Sequence, residues 1–203
     1  LLTGLTVAGA TLIGVPLAFV TVYTDLPGRG LLTGLLAAPL AVPSYLGAFA
    51  YFAAFGPGGE LHGLTGLPLP RVDGLAGAVL VMTLYTYPFV LLATRAALRN
   101  LDASMLEAAR TLGLPLRSAL VRVVLPRVAN SIAAGALLVA LYTLSDFGTP
   151  AIMRLDTFTR VIFVEYNAFG LDRAALLSLV LLALVAVVLF LESRVGSVRE
   201  SPG

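Results

Sequence analysis

The stretch Gly74-Leu-Ala-Gly-Ala-Val-Leu-Val-Met-Thr-Leu-Tyr-Thr-Tyr-Pro-Phe-Val-Leu-Leu-Ala-Thr94 holds no charged residue, and Asp73 and Arg95 close it at its two ends. Crossing about 30 Å of hydrocarbon at about 1.5 Å per residue takes roughly 20 helical residues, so this segment is long enough to span a bilayer. Four more uncharged runs share that property: Leu1 to Thr24, Gly30 to Gly59, Val128 to Ser145 and Ala174 to Leu191. Together they predict an all-α, polytopic membrane bundle of five transmembrane helices. Buried helices of a soluble core would keep a polar face, and these runs have almost none. Pro16, Pro39, Pro43 and Pro88 interrupt the runs. Small residues recur at helical spacing as Gly30 and Gly34, then Gly74 and Ala78, which predicts close helix approach there.

Composition supports the same class. Of 203 residues 59% are hydrophobic and 12% charged, and the mean hydropathy is +0.97; a soluble domain carries about 25% charged residues. With no Cys there is no disulfide, Cys-based zinc site or thiol nucleophile. The single histidine, His62, is read as inert, and no metal site is expected. All 13 cations are Arg. Without Lys no G-x-x-x-x-G-K-[ST] phosphate loop exists, so any ATP hydrolysis belongs to another subunit. The net charge of +2 is no nucleic-acid footprint.

The arginines set an orientation. Arg95, Arg99, Arg110, Arg117, Arg122 and Arg127 crowd the segment between the third and fourth spans. Placing it in the cytoplasm puts nine Arg inside and four outside, in line with the positive-inside rule. The N-terminus is then outside and the C-terminus inside. Residues 1–192 form the transmembrane domain, and 193–203 read as a polar tail or a linker. The missing initiator Met points to residues upstream, and the chain reads as one unit of a longer one.

Between those spans runs Asp102-Ala-Ser-Met-Leu-Glu-Ala-Ala-Arg-Thr-Leu-Gly-Leu-Pro-Leu-Arg-Ser-Ala-Leu-Val-Arg-Val-Val-Leu-Pro126. Asp102 or Ser104 can cap a helix, and Glu107 stands three residues after Ser104, as a capping box requires. Gly113 suits a left-handed stop and Pro115 the first turn of a second helix. Leu116, Leu120 and Val124 give that helix an apolar stripe, and Pro126 is expected to open the fourth span. The result is a helix–turn–helix elbow at the membrane surface.

Glu107-Ala108-Ala109, Gly113, Val123 and Leu125-Pro126, at this spacing, resemble the EAA loop of ABC importer permeases, with Val123 where the family pattern has Ile. The resemblance implies an inner-membrane permease subunit of a prokaryote rather than an enzyme. It implies a coupling helix that docks into a groove on an ATPase dimer, with Glu107, Ala108, Ala109, Gly113, Leu125 and Pro126 as coupling residues. It also implies an extracytoplasmic solute-binding protein and a second permease unit, as a homodimer or a fused pseudo-dimer. The cofactors, ATP and Mg, would sit on the partner ATPase.

The stretches Pro43 to Gly59 and Ser145 to Arg160 resemble the iron(III)-type subfamily, which implies ferric iron or a ferric complex as cargo; thiamine, phosphonate and polyamine permeases share much of this layout. Ser44, Tyr45, Tyr85, Tyr142 and Asp146 are candidates for lining the path. Asp156, Glu165 and Asp172 with Arg154, Arg160 and Arg173 read as a solvated face for the binding protein. Thr157 to Phe169 reads as an amphipathic external helix or a re-entrant segment. A secondary transporter or channel is the alternative class; it would need ionisable groups within the spans, and the five runs supply none.

Overall fold

A computed structural model describes residues 1–55, 63 and 73–197. His62 and Arg71 lie outside the described residues. Among the described residues the chain is helical and contains no strand. Its elements are α1 (Leu2–Tyr23), α2 (Arg29–Ala37), α3 (Ser44–Phe55), α4 (Gly74–Arg99) and α5 (Ala103–Thr111), followed by α6 (Leu116–Ser145), α7 (Gly148–Ile152), α8 (Phe158–Asn167) and α9 (Leu171–Ser197). Four of them, α1, α4, α6 and α9, are long and apolar enough to cross a membrane. The second uncharged run is not one straight helix. Its halves, Arg29–Ala41 and Ser44–Phe55, meet at 91°.

Two prolines cause the break. A short 3-10 turn over Ala38–Ala41 carries Pro39, Val42 is extended, and Pro43 follows. Proline disfavours helical backbone in the residue before it, and two prolines four residues apart remove two amide donors from successive turns. Pro16 and Pro88, by contrast, sit within continuous helices. Five membrane-crossing segments are reached by counting the bent pair as one.

The helix α4 is the axis of the fold, with α1 and α6 packed against it and against each other. Lipid gives no hydrophobic drive between helices, so shape complementarity and small residues decide which faces meet. In α1 the buried stripe is Thr6, Ala10, Gly14, Ala18, one small residue per turn. A Cβ on Gly14 would lie 2.9 Å from the Tyr87 oxygen and the Leu91 nitrogen, and one on Gly135 of α6 would lie 2.8 Å from the Val90 Cα. Close approach therefore occurs at Gly14 and Gly135. It does not occur at the expected Gly30 and Gly34, which face open space on the peripheral α2. Ala10, Ala18, Val90, Leu91, Val128 and Val139 form the core. A smaller cluster of Leu2, Ala48, Ala78, Val81 and Met153 closes the opposite end.

The amphipathic segment is the helix α8, capped by Thr157, whose hydroxyl accepts from the Arg160 amide. It packs on α9 and α6. The outermost helix, α9, is nearly all exposed, with Leu176, Leu179, Leu182 and Phe190 each more than half accessible. Leu, Val and Phe around its whole circumference suit contact with acyl chains. It continues to Ser197, beyond the uncharged run.

Candidate functional site

The elbow is built by three local devices. Asp102 caps α5, its carboxylate accepting from the Ser104 amide at 2.9 Å. That bond to the charged form holds the Asp102 carboxyl below its ordinary range. Asp102, rather than Ser104, is the cap, and among the described residues Glu107 makes no reciprocal capping bond. The helix then stops at Gly113, whose φ of +87° lies in the left-handed region. The Gly113 amide donates to the Arg110 carbonyl at 3.0 Å and the Leu114 amide to the Ala109 carbonyl at 3.2 Å. This pair of bonds is a Schellman stop, and its conformation favours a residue without a Cβ. Pro115 then turns the chain into α6.

The third device lies within α6. The helix begins at Leu116, ten residues before Pro126, and passes through that proline without ending. Pro126 therefore stands inside a continuous helix and not at its beginning. Leu120–Val124 widen into a π turn, in which the Leu125 amide donates to the Leu120 carbonyl. A proline ring clashes with the carbonyl four residues back, here that of Arg122. The wider turn just before Pro126 eases that clash, and such π turns recur at functional sites.

The residues of the elbow motif differ in exposure. Ala109 is buried, Leu125 is half-buried, and Glu107, Ala108, Gly113 and Pro126 are exposed. Leu101, Leu106, Leu120 and Leu125 pack on the core formed by α1, α4 and α6. Thus one face of the elbow is fixed to the three central spans. The other face presents Glu107, Ala108, Arg110 and Leu112, the last 84% accessible. Among the described residues Glu107 forms no ion pair, with Arg110 or any other group.

The opposite end of the bundle holds the residues considered for a path. The Ser44 hydroxyl donates to Asp146 Oδ1 at 2.7 Å, and the Thr149 amide donates to Asp146 Oδ2 at 2.9 Å. Asp146 thus braces the start of α3 against the α6–α7 junction and has no Arg partner among the described residues. Tyr45, more than half exposed, lies against Gly148; the Tyr85 hydroxyl fills the space a Cβ on Gly47 would take. Tyr142 packs on Phe89, with ring centroids 5.8 Å apart. On the adjoining face Asp156 pairs with Arg160 and Glu165 with Arg173, while Arg154 lies over the Phe52 ring. Ser44 and Asp146, 102 residues apart, are thus brought together in a way no spacing rule reveals; a Ser directly after Pro43 and an Asp directly after an uncharged run were the only signals. The Asp102 cap was legible, but the π turn was not.

Comparison with known proteins agrees with this architecture. Residues 10–195 match the family model described as "Binding-protein-dependent transport system inner membrane component". The chain is 32% identical over 192 residues to the "Probable molybdenum ABC transporter permease protein" of Haloferax volcanii, covering 93% of this chain and 70% of that protein. It is 30% identical over 183 residues to the "Fe(3+)-transport system permease protein FbpB 2" of Haemophilus influenzae, covering 90% of this chain and 33% of that protein. Among solved structures, an inward-facing methionine ABC transporter superposes with a TM-score of 0.72 at 18% identity, covering 97% of this chain and 91% of that one, a likeness of fold. The chain therefore belongs to the family of binding-protein-dependent transport system inner-membrane components, and it is a multi-pass inner-membrane permease.

Proposed function

We propose that this chain is one membrane-spanning unit of an ATP-driven importer, and that the α5 elbow is its handle for a separate ATPase dimer. One observation carries this reading. The elbow is fixed on its inner face to α1, α4 and α6, while Glu107, Ala108 and Leu112 stand exposed on its outer face. A displacement of such a rigid, half-free element reaches the central spans directly. The arginine distribution supports a cytoplasmic elbow. The end that holds Ser44, Asp146 and the Asp156–Arg160 pair then faces the solute-binding protein. A second permease unit, identical or related, completes the path, to which Ser44, Tyr45, Tyr85, Tyr142 and Asp146 are the proposed contributors. ATP and Mg bind on the partner, and alternating access follows from its cycle.

For the cargo we propose ferric iron or a ferric complex, supported by the similarity to an Fe(3+)-transport permease across 90% of this chain. The second reading, a molybdenum oxyanion, is favoured by the likeness to the archaeal molybdenum permease across 93% of it. Uptake by vesicles containing the assembled transporter separates the two. With its binding protein loaded in turn with ferric ion and with molybdate, ATP-dependent accumulation of iron alone supports the first reading. Accumulation of molybdate alone overturns it.

A further inference from the structure

Among the described residues three arginines at the elbow end of the bundle form no ion pair. Arg29 opens α2, and Arg95 and Arg99 lie in the last turns of α4. With Thr21 and Val22 of α1 they line one cavity of about 220 Å³. No acidic residue lines it. Among the described residues none of the three side chains makes an ion pair or a hydrogen bond, and the Arg95 Nε is buried and unbonded. The nearby carboxylate of Asp102, which lines the adjoining cavity together with Arg99, forms no ion pair with it. The Thr21 hydroxyl donates to the Ala18 carbonyl, so its hydrogen is not available to a ligand.

A buried guanidinium N–H without an acceptor is costly, and like charges sharing a small cavity repel. One ligand relieves both: an anion with several acceptor oxygens and no hydrogen to donate. The planar fork of Arg matches phosphate oxygens in pairs. The cavity also lies at the ends of membrane spans, where basic pockets between helices receive phosphate-bearing headgroups.

We propose that Arg29, Arg95 and Arg99 form a binding site for a phosphate group, carried by an anionic phospholipid or by a soluble phosphate, wedged between α1, α2 and α4. Val22 and Arg99 also line the cavity under the elbow, so the bound group sits against the elbow's root. The proposal is independent of the cargo and of the coupling reading.

Native mass spectrometry of the detergent-purified full chain tests it, with equal phosphatidylglycerol and phosphatidylcholine supplied. The wild type retains phosphatidylglycerol in preference. Arg95→Gln and Arg99→Gln each lower that preference about fivefold, and Arg117→Gln on the elbow leaves it unchanged. Should Arg95→Gln fail to fold, Arg29→Gln, at the exposed start of α2, carries the test. Displacement of the lipid by inorganic phosphate assigns the site to soluble phosphate; persistence of the lipid assigns it to the headgroup. Equal retention of both lipids by the wild type, with no bound phosphate, overturns the proposal. So does an unchanged preference in the variants, including the case in which they lose only the ATPase subunit on co-purification, which assigns the arginines to a protein contact.

Discussion

The Ser44 hydroxyl donates to the Asp146 carboxylate at 2.7 Å, tying the corner of the broken span to the far end of α6. A hydrogen bond to a charged group contributes about 1.5–3 kcal/mol. Ser44→Ala is expected to destabilise the bundle by about 1–2 kcal/mol, because Asp146 keeps its bond from the Thr149 amide. Asp146→Ala, which also leaves the Thr149 amide without its acceptor, should cost more. In a double-mutant cycle followed by circular dichroism during denaturation, the two effects are less than additive. Full additivity contradicts the bond.

Close packing gives a sharper contrast. Gly14→Leu forces a side chain into the α4 backbone at Tyr87 and Leu91. Overpacking of this kind costs about 1–3 kcal/mol or more, and the folded yield should fall strongly. Gly30→Ala, which meets open space within a helix, lowers neither yield nor melting temperature. Size-exclusion profiles and thermal unfolding read both outcomes.

At the elbow, Gly113→Val places a β-branched residue at φ +87°, a conformation that costs an L-residue roughly 1–2 kcal/mol. The Schellman stop is lost while the spans remain. Membrane insertion is therefore retained, and ATP hydrolysis by the assembled transporter continues without uptake. Glu107→Lys, which reverses the charge of the exposed face without strain, has the same effect. Paired assays of hydrolysis and uptake in vesicles check this; normal uptake by either variant contradicts the coupling role.

The Asp102 cap gives a pH dependence. Its carboxyl titrates lower in the folded chain than in the unfolded one. Its stabilisation is therefore fully present above the unfolded pKa and is lost as the pH falls through the lowered folded value. Protection of the Ser104 amide in hydrogen exchange should fall across that window in the wild type. Asp102→Asn, which keeps an acceptor without a titrating proton, shows no such fall.

The spans and the elbow were legible in the sequence because their signals are local. Uncharged runs mark the spans, and Asp102, Gly113 and Pro115 punctuate the elbow within a few residues of one another. The break at Pro43 was not legible. Pro16 and Pro88 occupy similar apolar runs and leave their helices whole, and only the pairing of Pro39 with Pro43 separates the cases. The packing seam was misplaced for a related reason. Gly30 and Gly34 have the spacing of a contact face, but spacing cannot say whether a neighbour is there, and α1 meets α4 through Gly14 instead. The π turn before Pro126 and the Ser44–Asp146 bond depend on how distant segments and successive turns settle against each other.

The most direct test of the elbow as an ATPase handle uses the absence of native cysteine. Leu112→Cys introduces one thiol on the exposed face. In right-side-out membrane vesicles a membrane-impermeant maleimide should leave it unmodified until the vesicles are opened, and bound ATPase subunit should then protect it. Labelling of the intact vesicles would put the elbow on the outer face and contradict the account.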